Sequence, residues 1–135
     1  GLGCPGSNGT PALDAAPGAR PIIGQNFTMQ ITNVPITGFF VVVLPFIGFN
    51  NTSTGGLPLP LNLAFLGMPG CIQYVDPFQV TFLFTPTGAV DWTVAIPPFP
   101  GFAGLPTYVQ AGVIDLTANR RGLIATNAGI ATLGW

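Results

Sequence analysis

Nine side chains hold nearly all the acid, base and thiol chemistry open to this chain: four acids, three bases and two cysteines. The acids are Asp14, Asp76, Asp91 and Asp115, the bases are Arg20, Arg120 and Arg121, and there is no Lys, Glu or His. Proton transfer near neutral pH would therefore fall to Asp alone. Ser7 and Ser53 have no His or Lys to activate them, which excludes a nucleophilic triad. Two Asp carboxyls could form a dyad, but none lies in a recognisable motif. We expect no enzyme and no catalytic residues. Zinc and copper sites lack imidazole, and two Cys do not complete a ligand set. Asp115 with Asn119, or Asp76, could offer oxygens to Ca²⁺. Asp and Asn in turns more often bond their own backbone, and that reading is preferred. The expectation is no metal and no cofactor. Arg120-Arg121 reads as a solvated turn, or as a partner for an Asp of this copy or a neighbouring one. Three Arg cannot supply the many phosphate contacts of nucleic-acid binding.

Cys4 and Cys71 leave three readings open. One disulfide within the chain fits an exported protein. Two reduced buried thiols, or a disulfide between subunits, fit the residues as well. The chain opens at Gly1 without Met or a charged-then-apolar leader, and we expect a mature form left after signal-peptide removal. Asn8, Asn26, Asn50 and Asn51 begin acceptor sequons, which Thr- and Asn-rich strands also produce by chance.

The composition is 48% hydrophobic and 5% charged, with net charge −1, against about 25% charged in typical globular proteins. A chain of 13.9 kDa should expose roughly 6,700 Å², or about one charge per thousand Å². Such a surface resists self-association poorly. Either Thr, Asn, Gln and backbone amides keep it wet, or much of it is buried against other copies; the second is preferred.

The chain of 135 residues fits one domain over 1–135, with 1–25 a candidate N-terminal arm and 122–135 a second. Residues 10–15 suggest a short edge strand. Phe27, Met29 and Ile31 alternate with Thr28, Gln30 and Thr32, as in a half-buried strand. The Gly38–Phe49 run is apolar on both alternating faces and wants cover on both, with Pro45 marking a bulge or an edge. It is shorter than the about 20 residues of a membrane span. Residues 57–63 place Leu at every second position with Pro between, which suits a rim strip. Phe78, Val80, Phe82 and Phe84 share one face of a strand. Val90, Trp92, Val94 and Ile96 share one face of the next, and a hairpin-length link joins the two. Tyr108 and Ile114 oppose Val109 and Val113 in a further strand, and residues 123–133 form the last. No helical period appears. The pattern predicts an all-β fold, an antiparallel β-sandwich or jelly roll of about eight or nine short strands.

Several marks occur in a familiar order. Gly1-Leu-Gly-Cys4-Pro-Gly-Ser7-Asn-Gly-Thr-Pro11 opens the chain and Gly24-Gln-Asn-Phe-Thr28 follows. Then come the Leu57–Leu63 strip, Gly67-Met-Pro-Gly-Cys71, Ile96-Pro97, Gly104-Leu105, Tyr108-Val-Gln110, Asp115 and Thr126-Asn-Ala128. Over nearly its full length the chain resembles a group of small secreted β-rich modules of planctomycete-like and related bacteria. Their GxGCxGSxGxP opening pairs with a later GxPGC. The resemblance implies export, a disulfide between Cys4 and Cys71, and a β fold. It carries no catalytic residues and no function.

The expected function is a structural subunit of a self-assembling extracellular filament, pilus-like fibre or surface layer. β-proteins normally protect sheet edges with Lys, and none is present. The interior is expected to hold Phe27, Met29, Ile31, Phe82 and Trp92. One alternating set of the apolar run then looks outward. We assign Phe40, Val42, Leu44 and Phe46 to a subunit interface, with Trp135. The partner is a homo-oligomer or polymer of the chain itself, without nucleic acid or a membrane span. The alternative is a secreted module binding carbohydrate or a cell surface, using a glycan contact at Tyr74, Tyr108 or Trp135. Trp92 reads as core.

Overall fold

Phe27, Met29 and Ile31 alternate with Thr28 and Gln30, and they form the middle strand of the smaller of two main sheets. The computed structural model of the chain describes residues 3–134. In chain order the strands are β1 (Ala12–Ala15), β2 (Asn26–Thr32), β3 (Val41–Gly48), β4 (Ser53–Thr54), β5 (Leu57–Pro58), β6 (Leu61–Asn62), β7 (Ile72–Gln73), β8 (Gln79–Val80), β9 (Leu83–Thr85), β10 (Val90–Ala95), β11 (Pro106–Ile114), β12 (Leu123–Ala125) and β13 (Gly129–Thr132). All pairings between them are antiparallel. The fold is an all-β sandwich, with more and shorter strands than expected because the expected strands at 57–63, 78–84 and 123–133 are each broken in two and β4 forms in the segment read as a loop.

The smaller sheet has the order β1-β2-β10. Its inner face carries Leu13, Phe27, Met29, Ile31 and Trp92, all buried. Its outer face is polar. Asp14 and Asp91 both stand opposite Gln30, and the Thr28 and Thr93 hydroxyls lie 2.9 Å apart.

The larger sheet is built around β3 and β11, which pair from Val43↔Val113 to Gly48↔Tyr108. β12 and β13 line the far side of β11, and β8 and β9 the far side of β3. Val41, Val43, Val109, Val113 and Ile124 face inward and close the core against the smaller sheet. Burying two such faces against each other is the main force holding a sandwich together.

Pro45 sits in the middle of this sheet rather than at an edge. It stands opposite Ala111, and its carbonyl accepts from Thr81 N–H at 2.8 Å, in the gap between β8 and β9. The missing Pro N–H therefore falls where the neighbouring strand is broken, so no ladder bond is lost. Ala111 has the same relation to the other break. Its N–H donates to Thr126 Oγ1 at 3.0 Å, and its carbonyl accepts from Thr126 N–H at 2.9 Å, between β12 and β13.

The expected hairpin of residues 78–84 with 90–96 does not form. β8 and β9 join β3 in the larger sheet, while β10 joins β2 in the smaller one. The link between them crosses from one layer to the other. Phe82 is consequently not in the core, and it is 67% exposed.

Candidate functional site

The outer face of the larger sheet divides into a covered half and a bare half. Residues 59–75 fold back over β11 and β12 as a third layer. In that segment Asn62 caps a short 3-10 turn (Leu63–Leu66) by accepting from Ala64 N–H at 2.9 Å. Leu63, Met68 and Cys71 are buried beneath it. Gln110 points up from β11 into this layer and is fully buried. Its Oε1 accepts from Tyr74 N–H at 2.9 Å, and its Nε2 donates to the carbonyls of Ile72 (2.8 Å) and Thr126 (3.0 Å). A buried amide is tolerated when its donors and acceptor are satisfied in this way.

The third layer is also fastened at its ends. Cys71 forms a disulfide with Cys4. Cys4 itself sits against β12, donating its N–H to the Ala125 carbonyl at 3.0 Å and accepting Ala125 N–H on Sγ at 3.1 Å. Arg121 Nε donates to the Leu66 carbonyl at 3.1 Å, so this Arg ties the layer down rather than sitting free in a turn. The N-terminal segment packs on its own chain. Ser7 N–H donates to the Asp115 carboxylate at 2.6 Å, and the Thr117 hydroxyl does so at 3.1 Å. Burial pushes the Asp115 carboxyl up, but the hydrogen bonds from Ser7 and Thr117 outweigh it and hold the group below its ordinary value. Asn119 closes its own turn, accepting from Gly122 N–H and donating to the Leu123 carbonyl.

The bare half lies over β3, β8 and β9. Val42 stands beside Phe84, and Phe46 beside Val80. Val42, Leu44 and Phe46 are half-buried. Phe40, Phe82 and Phe84 are 69%, 67% and 62% exposed, and Phe78, just before β8, is 75% exposed. These four rings leave roughly 500 Å² of apolar surface in water, taking about 200 Å² for a whole side chain. That is near the top of the range for the largest patch on a monomer. β8 and β9 are also the open edge of the sheet. No charged residue lies between Arg20 and Asp76 or within residues 77–90, so no charge on this edge discourages strand addition.

The expected interface set thus maps in part onto one surface. Phe40, Val42, Leu44 and Phe46 point outward, and the opposite set of Val41, Val43 and Ile47 points in. Phe39 departs from that set and is 81% exposed. Trp135 lies outside the described residues. Phe84 of β9 belongs to this surface, as do Phe78 and Phe82 beside these strands, so Phe82, expected in the core, faces outward; an alternating row does not reveal which side it turns to the core. Tyr74 and Tyr108 line a separate cleft of about 250 Å³ with Asn51 and Pro60. Among the described residues no group of three or more acidic or Cys side chains is placed to hold a metal, and no helix is long and apolar enough to cross a membrane. No protein-family model, curated protein or solved structure matches the chain.

Proposed function

We propose that the chain is a structural subunit of a self-assembling extracellular filament, pilus-like fibre or surface layer, with copies joined through the bare half of the larger sheet. The observation that carries this reading is the row of exposed phenyls at Phe78, Phe82 and Phe84 on an uncharged, uncovered sheet edge. Two such faces pressed together bury about 1,000 Å², the lower bound for a specific interface; a contact of like patches closes at a dimer, so growth into a fibre or layer takes the sheet edge as its second contact. Main-chain pairing along the edge adds to that. The polar outer face of the smaller sheet supports a directional arrangement, with one side dry and one side wet. The disulfide supports an oxidising location outside the cell.

The test is sedimentation and negative-stain microscopy of the purified chain at neutral pH. Ordered fibres or sheets that disappear in a Phe82→Ser, Phe84→Ser double variant support the reading. A wild-type chain that stays monomeric by light scattering at high concentration sinks it. A second reading, a secreted carbohydrate- or cell-surface-binding module, rests on the two tyrosines of the Tyr74–Tyr108 cleft. It requires retention on polysaccharide that is lost with Tyr108→Ala.

A further inference from the structure

At the end of the sandwich where β3 and β10 finish, the two sheets do not close on each other. A cleft of about 370 Å³ remains between them. Ile47 and Thr107 of the larger sheet line one wall and Val94 of the smaller sheet the other, with Ile96 and Leu133 alongside. Phe49 and Phe78 stand at its rim in an edge-to-face pair with ring centres 5.4 Å apart. Apart from Thr107, Gln79 is the one polar residue of the lining, and no charged group faces the space.

Thr107 is the second observation. It lies on the inner face of β11, is 2% exposed, and its Oγ1 is the single buried side-chain polar atom without a hydrogen-bond partner among the described residues. Every other deeply buried polar side chain is satisfied: Gln110, Thr126, Asp115 and Thr85 each have partners. Native structures rarely leave such a group alone without a reason. Here Thr107 lines an apolar cleft of the size of a small-molecule site, with its unsatisfied hydroxyl just beneath the lining.

We propose that this cleft binds a small, uncharged, mostly hydrocarbon molecule carrying one hydroxyl or carbonyl, which hydrogen-bonds Thr107 Oγ1 once that side chain turns into the space. A charged ligand would lose its hydration with nothing in the lining to replace it. The volume is more than twice that of a cavity of about 150 Å³ that holds benzene, which suits two fused rings or a chain of similar bulk. This site lies between the sheets and shares only Phe78, at its rim, with the outer phenyl face.

The probes are 2-naphthol and its hydroxyl-free counterpart of equal size, 2-methylnaphthalene. Both are titrated into the whole chain and into Thr107→Val, and read from the methyl resonances of Ile47, Val94, Ile96 and Leu133. The expected result is saturable shifts at these methyls. Thr107→Val should weaken 2-naphthol by about 5- to 10-fold and leave 2-methylnaphthalene unchanged or tighter. Binding of the second probe also reports that the cleft of the variant is intact. The proposal is overturned by an absence of saturable shifts at these methyls, by a 2-naphthol affinity that ignores Thr107→Val, by equal loss of both probes, or by shifts that map instead to Phe82 and Phe84.

Discussion

The Gln110 carboxamide receives the Tyr74 backbone N–H at 2.9 Å, across the boundary between the larger sheet and the segment folded over it. With the bonds from Gln110 to Ile72 and Thr126, this one side chain joins β11, the third layer and the break between β12 and β13. It explains why an apolar sheet face can carry a fully buried amide.

Gln110→Leu keeps the volume and removes the connections. Tyr74 N–H and the Ile72 and Thr126 carbonyls are then left buried without this partner. The expected loss is about 3 kcal/mol, because each orphaned group costs on the order of 1–3 kcal/mol. Urea unfolding should show a lower midpoint with an unchanged slope.

Removing the disulfide acts on the unfolded chain. Cys4 and Cys71 are separated by 67 positions, and closing such a loop stabilises by about 4 kcal/mol in the chain-entropy model. Cys4→Ser, Cys71→Ser should fall by about that amount. It should also bind a dye for exposed apolar surface more strongly, because Leu63 and Met68 lose their fastening over β11 and β12. An unchanged midpoint would mean that the other ties hold the layer unaided.

Asp115 sets a pH dependence. Its carboxyl is held below the ordinary value in the fold, so the unfolded chain takes up its proton first as the pH falls. The contribution is whole above the ordinary carboxylate value of about 4, and it is lost as pH drops through the lowered folded value. Asp115→Asn should therefore be destabilised by about 1–3 kcal/mol near neutral pH. The gap to wild type should narrow at about pH 2. A gap that widened on acidification would contradict the assignment.

Gly48 is required by space rather than by backbone angle. A Cβ there would stand 2.0 Å from the Asp76 carbonyl oxygen, and that oxygen belongs to backbone which cannot swing aside. Gly48→Ala should cost about 3 kcal/mol, at or above the usual range for overpacking. The clash is with the segment leading into β8, so amide exchange should speed most at Phe78 and Thr81, whose N–H groups bond the Ile47 and Pro45 carbonyls. Faster exchange only in β2 would refute this placement.

Much of the strand content was legible because alternation is a local consequence of the pleat. Phe27, Met29 and Ile31 face the core as expected, as do Trp92 and Ile96, and Val109 and Val113 oppose Tyr108 as read. The row of Phe78, Val80, Phe82 and Phe84 was equally clear as an alternation, yet its direction was read wrongly. Phe82, expected in the core, lies along an open edge with the other three. The link after Thr85 was read as a hairpin from its length, and length says nothing about which layer the next strand joins.

The sequence by itself determined an all-β chain with too few charges to shield its edges, because composition and period-2 patterning are properties of residues and their neighbours. It also showed that Gly38–Phe49 needed cover on both faces. Only the tertiary structure decided what supplies that cover. The smaller sheet covers Val41 and Val43. Residues 59–75 reach over the other face as far as β11 and β12 and leave Val42, Leu44 and Phe46 half-buried. That boundary depends on contacts distant in sequence: Cys4 with Cys71, Gln110 with Tyr74, Arg121 with Leu66. Their energies exist only once the chain is folded, so no local pattern could have announced where the cover ends and the bare face begins.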